Sequence, residues 1–372
     1  MFLGEKSMSD KILVSTRKGL FTATRGKSNW AITDVAFLGD NVTIALHDPR
    51  SGFSYAALDH GHFGVKMHRN KGDGWQEIAT PAYPEKPTDV PSKDGWGKDL
   101  PWATVLIWAL ETGGPDEPGV IWCGTIPGGL FKSEDHGDTW VLNRPLWDEP
   151  KRQLWFGGGR ELPGIHSICV DPRSSKTIRV GVSCGGVWQT DDGGETWACR
   201  ANGMRADFLP PEMASEPYQQ DPHLLAQSPS NPDRLWVQHH NGIFISSDGS
   251  KSWSELHAQP SSFGFAVAVH PTEPDTAWFV PGIKDELRIP VDGKLIVTRT
   301  RDGGQSFTSL NKGLPESHAY DIALRHALTI DKSGNRLAFG TTTGNLYVTE
   351  SQGDDWSIIG NSLPPIYAVR FI

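Results

Sequence analysis

Histidine is the residue through which this chain most visibly advertises chemistry. It has thirteen histidines, and two sets are tight clusters: Asp59-His60-Gly61-His62 and His239-His240-Asn241. His166 follows Arg160-Glu161 closely, His223 follows Asp221, and His318 stands just before Tyr320. Neutral imidazoles converging with a carboxylate are the usual ligands of zinc and related transition metals. His60, His166, His223 and His240 are the candidate ligands, and a zinc-like divalent ion is the cofactor they would hold. No two of these four have a close-spaced ligand motif, so hydrogen-bonded histidines lining a polar channel are the competing expectation. Asp59, Glu161, Asp285 and Glu286 are candidates for acid/base work. Arg17, Arg160 and Arg288 would bind an anionic group, with His62, His239, Asn241 and Asp221 as further substrate contacts.

These residues are scattered from position 17 to position 320, so some architecture must gather them. The stretch Ser133-Glu134-Asp135-His136-Gly137-Asp138-Thr139-Trp140 supplies it. In this S-x-D-x-G-x-T-W phrase the Asp carboxylate can accept backbone N–H groups of its own turn. The Gly supplies a left-handed position, and the Trp begins a strand with a large apolar area. Thr190–Trp197 and Thr300–Phe307 match throughout; Ser246–Trp253 and Thr349–Trp356 match nearly; His68–Trp75 and the region of Trp30 match by position. The seven aromatic anchors Trp30, Trp75, Trp140, Trp197, Trp253, Phe307 and Trp356 recur at steps of 45 to 65 residues, the period of a solenoid, propeller or array.

Around each turn the same order repeats: an apolar run, a Pro/Asp/Ser turn, a second run, a Gly-bearing loop, a third run, the Asp turn and a short fourth strand. Four antiparallel strands in each of seven repeats make an all-β, seven-bladed β-propeller. The final residues from Ile366 read as an innermost strand without successors, and Lys11–Trp30 as the three outer strands without a predecessor. One blade built from both termini would close the ring and remove two sheet edges. The chain is therefore expected to be one domain over residues 1–372, with residues 1–10 a poorly ordered leader.

The repeats resemble the Asp-box (BNR) repeats of the sialidase-like β-propellers along nearly the whole chain. The resemblance implies that the Asp turns are structural and lie away from the ligand face. It also implies glycoside hydrolysis by an arginine clamp, a Tyr nucleophile partnered by Glu, and an Asp acid/base. Tyr320 with Glu161 or Glu286 would supply the pair, and Asp59 the acid. The counterpart of the family's aromatic-Arg-Ile-Pro motif, Leu287-Arg288-Ile289-Pro290, comes late in the chain. That displacement directs the expectation away from a true sialidase and toward another polar or acidic carbohydrate-type substrate. Asp-box propellers also serve as non-catalytic binding or assembly platforms, which is the alternative function.

Composition narrows the partners. Forty-four acids against thirty-five Lys and Arg give a net charge of −9, a poor match to nucleic acid. No stretch approaches the roughly 20 apolar residues of a membrane helix. The first fifteen residues lack an apolar signal core, with Met8 a plausible natural start, and Cys123, Cys169, Cys184 and Cys199 show no CxxC spacing. The expectation is a cytoplasmic protein with reduced, buried cysteines. The long, Pro- and charge-rich segments 76–103, 141–165 and 198–222 read as binding loops, with Trp96, Trp102, Trp147 and Trp155 as candidate stacking surfaces.

Overall fold

The computed structural model of the protein describes residues 8–86 and 92–372. Seven four-stranded antiparallel sheets are arranged as the blades of a propeller. Six blades run outward in chain order from the innermost strands Asn41–Asp48, Leu106–Thr112, Gly164–Asp171, Pro222–Gln227, Gly264–Val269 and Leu328–Ile330. The remaining blade takes its innermost strand, Ile366–Phe371, from the end of the chain. This strand pairs with Lys11–Thr16 in the register Ile12↔Phe371 and Val14↔Val369. Of the expected leader, residues 1–7 lie outside the described residues. Asp10 is tied to Arg336 at 2.8 Å, and Ser9 donates its backbone N–H to Asp331.

The Asp turns have the geometry their residue types call for. Asp135 Oδ1 accepts from the Thr139 N–H and the Ser133 hydroxyl, both at 2.8 Å, while Oδ2 accepts from the Thr139 hydroxyl at 2.6 Å. Asp192, Asp248 and Asp302 repeat the pattern. Ser250 occupies the usual glycine position with a φ of 70°, and its hydroxyl reaches Gln189 at 2.8 Å. At several turns the closing Trp staples its blade to the preceding one. Trp140 Nε1 donates to the Ala79 carbonyl, Trp197 Nε1 to Asn143 and Trp253 Nε1 to the Arg200 carbonyl. Between blades, buried aromatics such as Trp122, Trp188, Trp236, Trp278 and Phe339 fill the sheet-to-sheet space. Each fully buried large side chain of this kind stabilises the fold by about 1.5–3 kcal/mol.

Topology then sorts the loops. In an up-and-down blade the first-to-second and third-to-fourth turns share one face, so the Asp turns mark that face. The second-to-third turns and the connections between blades lie on the other. Arg17, His60, His62, His240, Asn241 and Arg288 sit in second-to-third turns, and Arg160 and Glu161 in a connection between blades. Tyr320, which the sequence suggests at the start of an innermost strand, differs from expectation. It lies eight residues before the innermost strand Leu328–Ile330, in the connection, and is 59% exposed. Trp147 and Trp155 also differ, since both are buried in the core and offer no stacking face. All four cysteines are free. No helix among the described residues is long and apolar enough to cross a membrane.

Candidate functional site

A cavity of about 400 Å³ opens at the loop face of the ring, opposite the Asp turns. Its wall draws on the ends of innermost strands and on the loops beside them. Arg17, Asp59, Arg160 and Arg288 line it, as the sequence suggested; Trp108, Phe265, Arg325, His326 and Tyr367 line it as well. Four guanidinium groups face one carboxylate, so the pocket is electropositive in a protein of net charge −9.

Asp59 ends a second strand, Phe53–Asp59. Its Oδ1 accepts the Gly61 N–H at 2.9 Å and its Oδ2 the Asn41 amide at 3.3 Å, which fixes the carboxylate against the next turn. Arg288 is held by Asp285, with Nη2 at 2.6 Å from Oδ1 and Nε donating to the Asp285 carbonyl. Its guanidinium lies 5.2 Å from the centre of the Phe265 ring. Arg325 is different. It is 6% exposed, its Nε and Nη2 have no hydrogen-bond partner, and its guanidinium lies 4.8 Å from the Trp108 ring and 5.5 Å from Phe265. Burial pushes it down to about 10, although Asp221 works in the opposite sense. Tyr367 comes from the ring-closing strand; burial raises its hydroxyl, Arg17 and Arg160 oppose that, and Asp59 reinforces it. His326 donates Nε2–H to the His166 carbonyl at 2.7 Å, and burial lowers it to about 4.

Other expected site residues go elsewhere. Glu161 is exposed and pairs with Lys98 at 3.1 Å; Glu286 is exposed and pairs with Lys284 at 3.5 Å. Asp285 serves Arg288, and Tyr320 does not line the cavity. His62 is exposed against Phe63. His239 is fully buried, with the N–H groups of Asp221 and Asn241 at 3.1 and 3.2 Å from its ring nitrogens. Burial holds it down to about 3. Asn241 accepts the Asp207 N–H at 3.2 Å.

The four-histidine grouping does not form. His60 Nε2 lies 3.9 Å from Asp40, and His166 Nδ1 lies 2.8 Å from the Ser167 hydroxyl. His223 and His240 instead converge on Asp221, at 3.5 and 3.4 Å from its Oδ2. The turn Ile243 follows explains why: the His240 N–H donates to the Asp221 carbonyl at 3.0 Å, folding the second-to-third loop onto the start of the innermost strand. Cys184, on the neighbouring blade, donates its N–H to Asp221 Oδ1 at 3.0 Å.

No family model matches the chain. Among curated proteins it is 24% identical over 283 residues to an oligoxyloglucan-reducing end-specific xyloglucanase of Emericella nidulans, covering 67% of this chain and 32% of that protein. It is 23% identical over 248 residues to a xyloglucanase of Hypocrea jecorina, covering 59% of this chain and 26% of that protein. The chain thus spans about a third or less of the length of these relatives. Among solved structures, the GH74 enzyme of Niastella koreensis superimposes with a TM-score of 0.63 at 17% identity, over 95% of this chain and 53% of that one. YCF48 bound to D1 peptide gives 0.54 at 13% identity, over 92% and 94%. These likenesses agree on the propeller fold.

Trp108, Phe265, Arg325, His326 and Tyr367 line the cavity without having been singled out in the sequence, and Arg325 and Tyr367 matter most. For Tyr367 a signal existed: Ile366–Ile372 was legible as an innermost strand, and first residues of innermost strands face the pocket. For Arg325 the signal was fainter. The Asp331-Lys332-Ser333-Gly334 turn marks where the innermost strand Leu328–Ile330 ends, which places residues 319–327 in the connection over the cavity.

Proposed function

We propose that the protein is a glycoside hydrolase acting on a carbohydrate that carries an acidic group, bound in the four-arginine cavity. The observation that carries this reading is Arg325, a buried guanidinium whose Nε and Nη2 lack partners while it lines a pocket. A buried charged donor left unpaired is expensive, and an anionic ligand would relieve it. Likeness to xyloglucanases supports a carbohydrate as the bound class. Trp108, partly exposed in the cavity wall, supplies an apolar face on which a sugar ring would rest.

In this reading Arg17, Arg160, Arg288 and Arg325 hold the acidic group. Asp59 takes the Tyr367 hydroxyl proton as that oxygen attacks the anomeric carbon, and passes it to the departing glycosidic oxygen as the bond breaks. Water then attacks the anomeric carbon of the glycosyl–Tyr367 intermediate, Asp59 takes a proton from the water and returns it to the released Tyr367 oxygen, and the freed sugar leaves. Asp59 is assigned this work because it is the carboxylate that lines the cavity among the described residues.

A second reading is favoured by where the other acids go. Glu161 and Glu286 pair with surface lysines and leave the cavity without a second carboxylate. A non-catalytic propeller that binds an acidic glycan would look the same. A panel of fluorogenic glycosides, acidic sugars beside neutral xyloglucan oligosaccharides, separates the two. Turnover of an acidic glycoside, lost in Asp59→Asn and in Tyr367→Phe, is the expected result. Calorimetric binding without turnover would establish the binder. Binding of neutral oligosaccharides alone would overturn the acidic-substrate reading.

A further inference from the structure

Beside the arginine cavity lies a second cluster that the proposed hydrolysis does not use. Asp221, His223 and His240 bring one ligand atom each to within 4.8 Å of one another. Asp221 and His223 are buried, and His240 keeps a quarter of its side chain open to solvent. The cluster stands directly behind Phe265, on which the His223 ring stacks at 4.5 Å and 14°.

Three features of this cluster call for a cation. The first is the tautomer of His223. Its Nδ1 lies 2.7 Å from the Gly264 carbonyl, an oxygen that can only accept, so Nδ1 carries the proton. In the neutral ring Nε2 then presents its lone pair to Asp221 Oδ2, 3.5 Å away, and two electron-rich atoms face each other inside the protein. The second is the spacing. Distances of 3.5 and 3.4 Å exceed those of a good hydrogen bond but match the edge of a tetrahedron of ligands around zinc, about 3.4 Å for bonds near 2.1 Å. The third is the outer support. The Ser183 hydroxyl and Cys184 N–H hold Asp221 Oδ1, leaving Oδ2 for the histidines. A ligand histidine that donates its far N–H to a backbone carbonyl, and a ligand carboxylate fixed through its other oxygen, form the usual second shell of a transition-metal site.

We propose that Asp221 Oδ2, His223 Nε2 and His240 Nδ1 bind one zinc-like divalent transition-metal ion, with a fourth position open on the side of the exposed edge of His240. One acid and two imidazoles suit zinc, cobalt or nickel and not calcium or magnesium, which require more oxygen ligands. The proposal does not depend on turnover, and a failure of the hydrolase reading leaves it standing.

Cobalt(II) is the probe. Full-length protein is stripped with chelator, checked for native circular dichroism, and titrated with cobalt(II) chloride. One equivalent is expected to bind with the intense visible bands of four-coordinate cobalt, and zinc is expected to displace it. His240→Gln, at the partly exposed member, should fold normally and weaken binding at least tenfold; His223→Ala should abolish the bands. His60→Ala, which removes a histidine outside the cluster, should leave them unchanged. Absence of stoichiometric binding by the wild-type protein, or equal binding by folded His240→Gln, would overturn the proposal and leave a proton-linked Asp–His cluster in its place.

Discussion

In the proposed function Arg325 gives up pairing within the fold to be placed for a ligand. Its folded-state pKa lies near 10, below its ordinary value, with burial the main cause. A base whose pKa is lowered by folding is charged at a cost, and that cost applies at every pH below the folded value. At neutral pH the residue therefore opposes folding. Arg325→Met keeps a long stem over Trp108 and Phe265 while removing the charge. The expected outcome is a melting temperature equal to or above that of the wild type, with affinity for an acidic monosaccharide reduced about 10- to 100-fold, the loss of one or two charge-assisted hydrogen bonds. Differential scanning calorimetry and titration calorimetry read the two quantities separately. A large fall in melting temperature would make Arg325 a structural residue.

The turn carries its own prediction at the level of the element. Asp302 accepts from the Thr300 hydroxyl, the Ser306 N–H and the Ser306 hydroxyl, and these bonds lower its pKa to about 2, with burial opposing them. A carboxyl depressed in the folded state stabilises the fold above its unfolded pKa of about 4, and the contribution disappears as pH falls through about 2. Asp302→Ala is expected to cost about 1 kcal/mol at pH 7, by analogy with loss of a helix cap. Urea unfolding at pH 7, 4 and 2 should show the gap between variant and wild type shrinking over the lower part of that range; a gap constant to pH 2 would mean that packing, not charge, is lost. The same turns made the fold legible in the sequence, because each is a local device whose residues contact one another within eight positions. Tyr320 was misplaced for the opposite reason. Ile322-Ala323-Leu324 has the apolar content of a strand, yet the strand begins at Leu328, and only the Asp331 turn, which closes it, says so. Glu161, Glu286 and His60 were legible to the correct face, but which way each side chain turns depends on lysines and acids contributed by distant loops.

Closure of the ring joins stability and site in one strand. Ile366, Ala368 and Val369 are buried, and the first and last of them pack with Ile12, Val14, Ala338 and Leu346 in one cluster. Tyr367, between Ile366 and Ala368, turns to the cavity. A bulge makes this possible: Thr16 pairs with Ile366 and Ser15 with Ala368, so Tyr367 is the extra, unpaired residue of the ladder. Ile366 also fits tightly beside Gly340, where an added Cβ would come within 2.3 Å of its Cγ2. Ile366→Ala would empty that contact and is expected to cost about 2–5 kcal/mol in urea unfolding. It should also loosen Tyr367, so that, if the proposed hydrolysis holds, kcat on a reactive glycoside falls with the protein still folded at 25 °C. Deleting residues 366–372 removes the strand altogether and leaves Lys11–Thr16 as an unpaired, apolar inner edge. That truncated protein should aggregate or lose its single cooperative unfolding transition, by light scattering and calorimetry. A soluble, cooperatively folding truncation would show that six blades and three strands suffice, and that the last strand serves the site alone.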